Sequence, residues 1–434
     1  MMRVRVKAPS FVSSLVLVAL TVHCADESLP APSASSVAPS PLASSVAPPP
    51  EVPMPLATVR TTSPSLALGN LEGQVKVAEK KLREAPTVAH KAQLFGLLLQ
   101  RFQISGALAD YSRALELADL KLEDKPEFEA VLLRARGLSA AHKFAEALVE
   151  LERAKALAPK EQATLVMSRK AAVLLAVGRY DEALELAMTV VRLEPTMSSL
   201  ADQAVIVGAM GGREPAEALF VQAEQLYRGV SPFAISQLYF DRASMFERAG
   251  DLTTATTLFR AANKRLPSHV HVATHLAPLL SPSEGVAILE ALGAVEEPDV
   301  LAQLGVLKNM TAAKSGDALI ARASALYDAA MAKHPEAFAD HAGWFWINGG
   351  SDPAKALSAA KLNLSLRKTA DAYELMLAAA EAAKETALLC ETKASAAALK
   401  WKTLRLESRL STVGVACAAA SPAPSASASA GAPK

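Results

Sequence analysis

Two stretches of this 434-residue sequence carry the same residue types in the same order, and the recurrence restricts the chain to folds that stack one small unit. The first runs from Phe128 through an apolar segment to Leu138, continues as Phe144, Ala147 and Ala154, and closes on Pro159. The second has Lys170, Ala171, Leu174, Gly178, Tyr180, Ala183 and Ala187, and closes on Pro195, 36 residues after Pro159. A third unit repeats the order with Ala243, Phe246, Gly250, Leu252, Ala255, Phe259, Ala262 and Pro267.

Each residue type has a physical reason. Small residues such as Ala171 and Ala183 belong where two antiparallel helices touch, because a larger side chain would push the axes apart. Gly178 and Gly250 end a first helix where a left-handed backbone is cheap. Phe144, Tyr180 and Leu252 are predicted to fill the wedge between helices, and the prolines stop the second helix. Apolar residues make up 51% of the chain but aromatics only 5%, so Ala and Leu carry the hydrophobicity, as close-packed helices require.

These residues resemble the tetratricopeptide repeat, a helix-turn-helix unit of about 34 residues. Weaker units follow the same plan. One near 87–127 keeps Leu97 and Tyr111, and 200–232 carries Gly211, Gly212 and Pro215. The stretch 268–297 is broken by Pro278 before a helix start at Ser281-Pro282-Ser283-Glu284. In 298–335 a helix around Leu304 is expected to lead into an extended linker before Ala323, and 336–368 holds Trp346, Gly349, Gly350 and a second helix from Asp352-Pro353. A last unit begins near Thr369. The resemblance implies an all-α, tetratricopeptide-type α-solenoid, a right-handed superhelix of about eight or nine helix pairs over 66–405.

The ends differ in kind. Residues 1–24 combine a basic start, an apolar run from Phe11 to Val22 and Cys24, which fits an export signal and is too short for an ordinary membrane span. Cys24 resembles the acylated cysteine of bacterial lipoproteins, although Thr21 and His23 depart from that pattern; simple cleavage before Ala25 and a retained leader are the competing expectations. Residues 25–65 are rich in Pro, Ala and Ser and read as a disordered linker, able to hold the body on the order of 100 Å from an anchor. Residues 406–434 end in a tail of similar composition. Cys390 and Cys417 either pair in an oxidising compartment or remain separate thiols.

Removing Arg3, Arg5 and Lys7 with the leader leaves 42 of the 45 basic residues against 44 acidic ones, near −2. That balance gives no bulk drive toward nucleic acid or anionic lipid. No phosphate-binding Gly-Lys-Thr loop, Gly-x-Ser-x-Gly elbow, His-Glu-x-x-His or Cys-x-x-Cys occurs, and the chain is expected to be non-enzymatic with no cofactor. His269, His271 and His275 are expected at packing positions, not as metal ligands, and Trp344-Phe345-Trp346 is the densest aromatic group. The resemblance implies an inner wall formed by first helices that receives a protein or peptide partner. Arg136, Ser139, Arg169, Ala172, Ser244, Glu247, Asp340, His341 and Trp344 are its candidate lining.

The expected function is therefore an interaction scaffold of the cell envelope, lipid-anchored at Cys24 and periplasm-facing, or else periplasmic or secreted; the alternative is a periplasmic small-ligand or metal-binding protein. Replacing Cys24 by Ala is expected to release the protein from the membrane fraction, and unchanged fractionation excludes the acyl anchor.

Overall fold

The computed structural model describes residues 59–413; the leader with Cys24, nearly all of the linker, the tail and Cys417 lie outside them. Among the described residues there are 20 α-helices and no strand. Helix α1 (Pro64–Glu84) precedes nine pairs and α20 (Leu404–Thr412) follows them. The pairs are α2 (Val88–Ser105) with α3 (Leu108–Ala118), α4 (Phe128–Ala140) with α5 (Phe144–Leu157), and α6 (Ala163–Val177) with α7 (Tyr180–Leu193). Next come α8 (Met197–Ala209) with α9 (Arg213–Leu226), α10 (Pro232–Arg248) with α11 (Leu252–Arg265), and α12 (Val270–Leu276) with α13 (Pro282–Glu290). The last three are α14 (Pro298–Thr311) with α15 (Asp317–Lys333), α16 (Pro335–Asn348) with α17 (Pro353–Leu366), and α18 (Ala370–Ala382) with α19 (Thr386–Ala397). The fold is an all-α solenoid of the tetratricopeptide type.

The local rules behind the pattern hold at most positions. Ala171 and Ala183 are buried where α6 meets α7, and Phe144 and Tyr180 are buried as wedges. Ser281 caps α13 reciprocally with Glu284, a capping box that satisfies two end N–H groups. Two expectations fail. Leu252 is 50% exposed, because Asp251 caps α11 on the Thr254 N–H and the first inward position comes only at Ala255. No extended linker precedes Ala323, since only residues 312–316 separate α14 from α15. The two backbones meet there so closely that a Cβ on Gly316 would lie 1.8 Å from the Gly305 carbonyl oxygen.

The pairs do not merely stack on their neighbours. One superhelical revolution, five or six pairs, brings the chain back onto itself, as contacts between residues 168 to 225 apart show. The Thr62 N–H donates to the Val230 carbonyl, joining the start of α1 to α10. His271 on α12 bonds the Gln103 carbonyl of α2, and His334 beside α16 contacts Ser112 of α3 at 3.1 Å. Arg367, after α17, reaches His142 at the end of α4 at 2.8 Å. Lys400 pairs with Asp181 of α7. The second revolution, α12 to α20, thus seats on the first.

Gly178 lies at such a seam. Its φ of +87° needs glycine, and a Cβ there would stand 2.8 Å from the Lys368 carbonyl oxygen of the second revolution. Gly250 has a φ of +76° but open space around it. Gly250→Ala is expected to cost about 1 kcal/mol, the left-handed penalty alone, and Gly178→Ala at least about 1 kcal/mol more because two backbones must part. Urea unfolding of both variants measures the difference; equal losses would mean that the seam adds nothing to stability.

Candidate functional site

The candidate lining residues all fall on first helices, α4, α6, α10 and α16, as expected. What differs is that the wall is covered. Ser139, Arg169, Ser244, Glu247, Asp340 and His341 are all at least nine-tenths buried, and Arg136, Ala172 and Trp344 are half-buried. Arg136 lies 4.8 Å over the Phe95 ring, and burial, reinforced by Arg169, brings its pKa down to about 9. Glu247 bonds His275 at 2.9 Å, and Asp340 faces Arg367 at 3.7 Å. At these positions the wall is occupied by the chain's own side chains.

Where the revolutions meet, α2, α3, α4, α12, α14, α15 and α16 enclose a cavity of about 50 Å³. One side is apolar, with Leu99, Phe102, Ala140, Ala337 and Phe338; the other carries Ser139, His142, His271, Glu297, Asp299, Tyr327 and His341. At its centre the Asp299 carboxylate accepts from the Tyr327 hydroxyl and from His341 Nδ1. Burial works against the charge on His341, but Asp299 and then Asp340 outweigh it and lift its pKa to about 9. Burial, and next the neighbouring Asp299, push the Glu297 carboxyl up to about 8. Asp299 is held below its ordinary value despite burial, by His341 above all. Burial pulls His142 down to about 3 and His271 to about 4, so both are neutral.

Of this group only Ser139 and His341 were legible as lining residues. His142 had a signal, since it occupies the place of Gly178 and Gly250 in the repeat and takes their left-handed backbone with φ 57°. A non-glycine residue held there is strained, and strain of this kind gathers at functional sites. Glu297 and Asp299 flank Pro298 at the start of α14 and read from sequence only as acidic residues opening a helix. His269 contacts Ser236, His271 the Gln103 carbonyl and His275 Glu247, and among the described residues no three His, Cys, Asp or Glu side chains are arranged to hold a metal ion.

A second opening lies outside. Between α3 and α15 a cleft of about 480 Å³ is lined by Leu108, Ala109, Leu326, Ala329 and Phe338, with Arg113, Glu116, Lys333 and His334 at its rim. Tyr111 and Phe338, edge to face with ring centroids 5.6 Å apart, border both this cleft and the axial cavity.

The protonation pattern fixes a pH response. His341 keeps its proton in the folded chain to about pH 9, against 6.5 for an ordinary histidine, and Glu297 to about 8, against 4.5. Asp202 and Asp241, both raised by burial to about 7, act in the same direction. His142, His269 and His271, neutral when folded, oppose this near pH 6.5, and Arg136 opposes it toward pH 9. The folded state therefore binds more protons than the unfolded one chiefly between about pH 7 and 8.5, where stability is expected to fall as pH rises. The thermal midpoint is expected to drop across this window and the His341→Gln variant to show a shallower slope; a flat wild-type profile contradicts the assignment.

No protein-family model and no curated protein matches the sequence. Solved structures similar to it include human IFIT1 as a dimer with PPP-AAAA, 15% identical over 81% of this chain and 85% of that one, with a TM-score of 0.40. Yeast Tom70 is 14% identical over 80% and 85% of the two chains, with a TM-score of 0.36. A tetratricopeptide repeat protein from Parabacteroides merdae is 13% identical over 65% of this chain and 97% of that one, with a TM-score of 0.31.

Proposed function

We propose that the protein is a non-enzymatic interaction scaffold of the cell envelope, and that it takes an apolar segment of a partner protein in the outer cleft between α3 and α15. The observation that carries this is the division of surfaces: the inner wall is spent on the chain's own second revolution, while the cleft stays open at about 480 Å³. Its floor of Leu108, Leu326 and Phe338 has room for a few apolar side chains, and the exposed Arg113, Glu116 and Lys333 give a polar rim. Cleft residues sit on rigid helices, which lowers the ordering cost of binding.

The envelope setting is supported by the leader, the Pro/Ala/Ser linker and Cys24 in the sequence, and by Cys390, which is disulfide-bonded and so suits an oxidising compartment. No helix among the described residues is long and apolar enough to cross a membrane. A tether combined with a compact repeat body suits a protein that reaches a partner across a gap.

A photo-crosslinking amino acid placed at Ala329 in the cleft, and in a control at Leu157 on the exposed face of α5, tests the reading in cells. Reproducible adducts with one protein from position 329, weakened by Leu326→Glu and absent from position 157, are expected. Adducts from 157 alone, or from neither position, remove the cleft as the partner site.

A further inference from the structure

The polar side of the axial cavity has an imbalance between donors and acceptors. Its two carboxylates are already engaged within the chain. Asp299 receives Tyr327 and His341 on its two oxygens, and Glu297 Oε2 accepts from the Val300 N–H at 2.8 Å. Two other donors are also spoken for: the Tyr111 hydroxyl donates to the Ala140 carbonyl at 2.9 Å, and His271 Nδ1 to the Gln103 carbonyl at 3.0 Å. Beside the bare Nε2 acceptor of the neutral His271 ring, what is left over is donors. His341 Nε2 and Ser139 Oγ are buried and have no hydrogen-bond partner in the protein, although both residues line the cavity. The Glu297 carboxyl supplies a further donor when protonated.

Buried polar groups left unmade cost free energy, most of all on a charged ring. Two such groups on residues that line one cavity, together with apolar lining residues, suit a site that takes an occupant. A cation would be repelled by the charged His341 ring. A dianion such as phosphate would stand too near Asp299 and Asp340. A single negative charge with two acceptor oxygens meets the need, and the wall of Leu99, Phe102 and Phe338 suits a short hydrocarbon end.

We infer that the axial cavity binds a short-chain monocarboxylate, its carboxylate accepting from His341 Nε2 and Ser139 Oγ and its apolar end lying against Leu99, Phe102 and Phe338. A volume of about 50 Å³ admits only an acid of a few heavy atoms, the size of acetate or propionate. Longer acids must displace the Tyr111 and Phe338 rings toward the outer cleft. An occupant bridging α4 and α16 ties the second revolution to the first, so it stabilises the closed superhelix.

Calorimetry and thermal unfolding of the full chain with acetate, propionate, hexanoate, phosphate and the uncharged propionamide test the site. Propionate is expected to bind with a Kd of roughly 0.1 to 1 mM, as its few atoms allow, to raise the midpoint, and to shift the His341 Nε2 resonance in histidine-labelled protein. Ser139→Ala is expected to weaken binding about tenfold, and Ala140→Leu, which fills the cavity without touching the ion pair, to abolish it. His341→Gln should abolish it too; if that variant fails to fold, Ala140→Leu decides. No response to any acid up to about 10 mM, equal binding of propionamide, tighter binding of phosphate, or full binding by Ala140→Leu each overturns the inference.

Discussion

The structure depends on one geometrical fact: the rotation between successive helix pairs is large enough that the superhelix meets itself after five or six of them. In an open solenoid each pair touches only its neighbours, and the inner wall faces solvent. Here that wall is an interior. Charges that would be solvated on an open wall lose their water, and each then needs a partner within the chain. Asp299 with His341, Arg367 with Asp340 and His142, and Glu247 with His275 are the outcome.

Such burial is not a cheap source of stability, since taking ions out of water costs several kcal/mol apiece before pairing returns it. What it supplies is register. If the second revolution slipped by one pair, Arg367 would lose His142 and Lys400 would lose Asp181, and apolar side chains would face charges. The apolar clusters could tolerate a slip better, being rich in interchangeable Ala and Leu. The polar seam therefore specifies which pair faces which, while the Ala-rich contacts between helices hold the layers together.

The helices and their pairing were legible because the signals are local: a proline behind most second helices, a glycine at several bends, small residues at the crossing. Even the degenerate pairs at α12 and α16 declared themselves, through Ser281 and Glu284 in one case and Asp352-Pro353 in the other. The closure was not legible. It is the sum of many small rotations, none written in any single residue, and it decides whether Ser139 or Glu247 faces water or protein. Leu252 shows the same limit at short range, since matching a repeat position did not fix which way a helix-opening residue points. His142 could have given warning, because it stands where three other repeats place Gly178, Gly211 and Gly250.

The long seam also changes how such a chain comes apart. A linear array of repeats can fray from either end, one unit at a time, since each loses only a neighbour. In this chain α1 is fastened near its start to Val230 and Val59 to Arg265, so the first helix cannot peel away without loosening the middle of the array. Any pull transmitted through the segment before Val59 arrives at α10 and α11 as well as at α1. The load is shared across the body, which yields as a block.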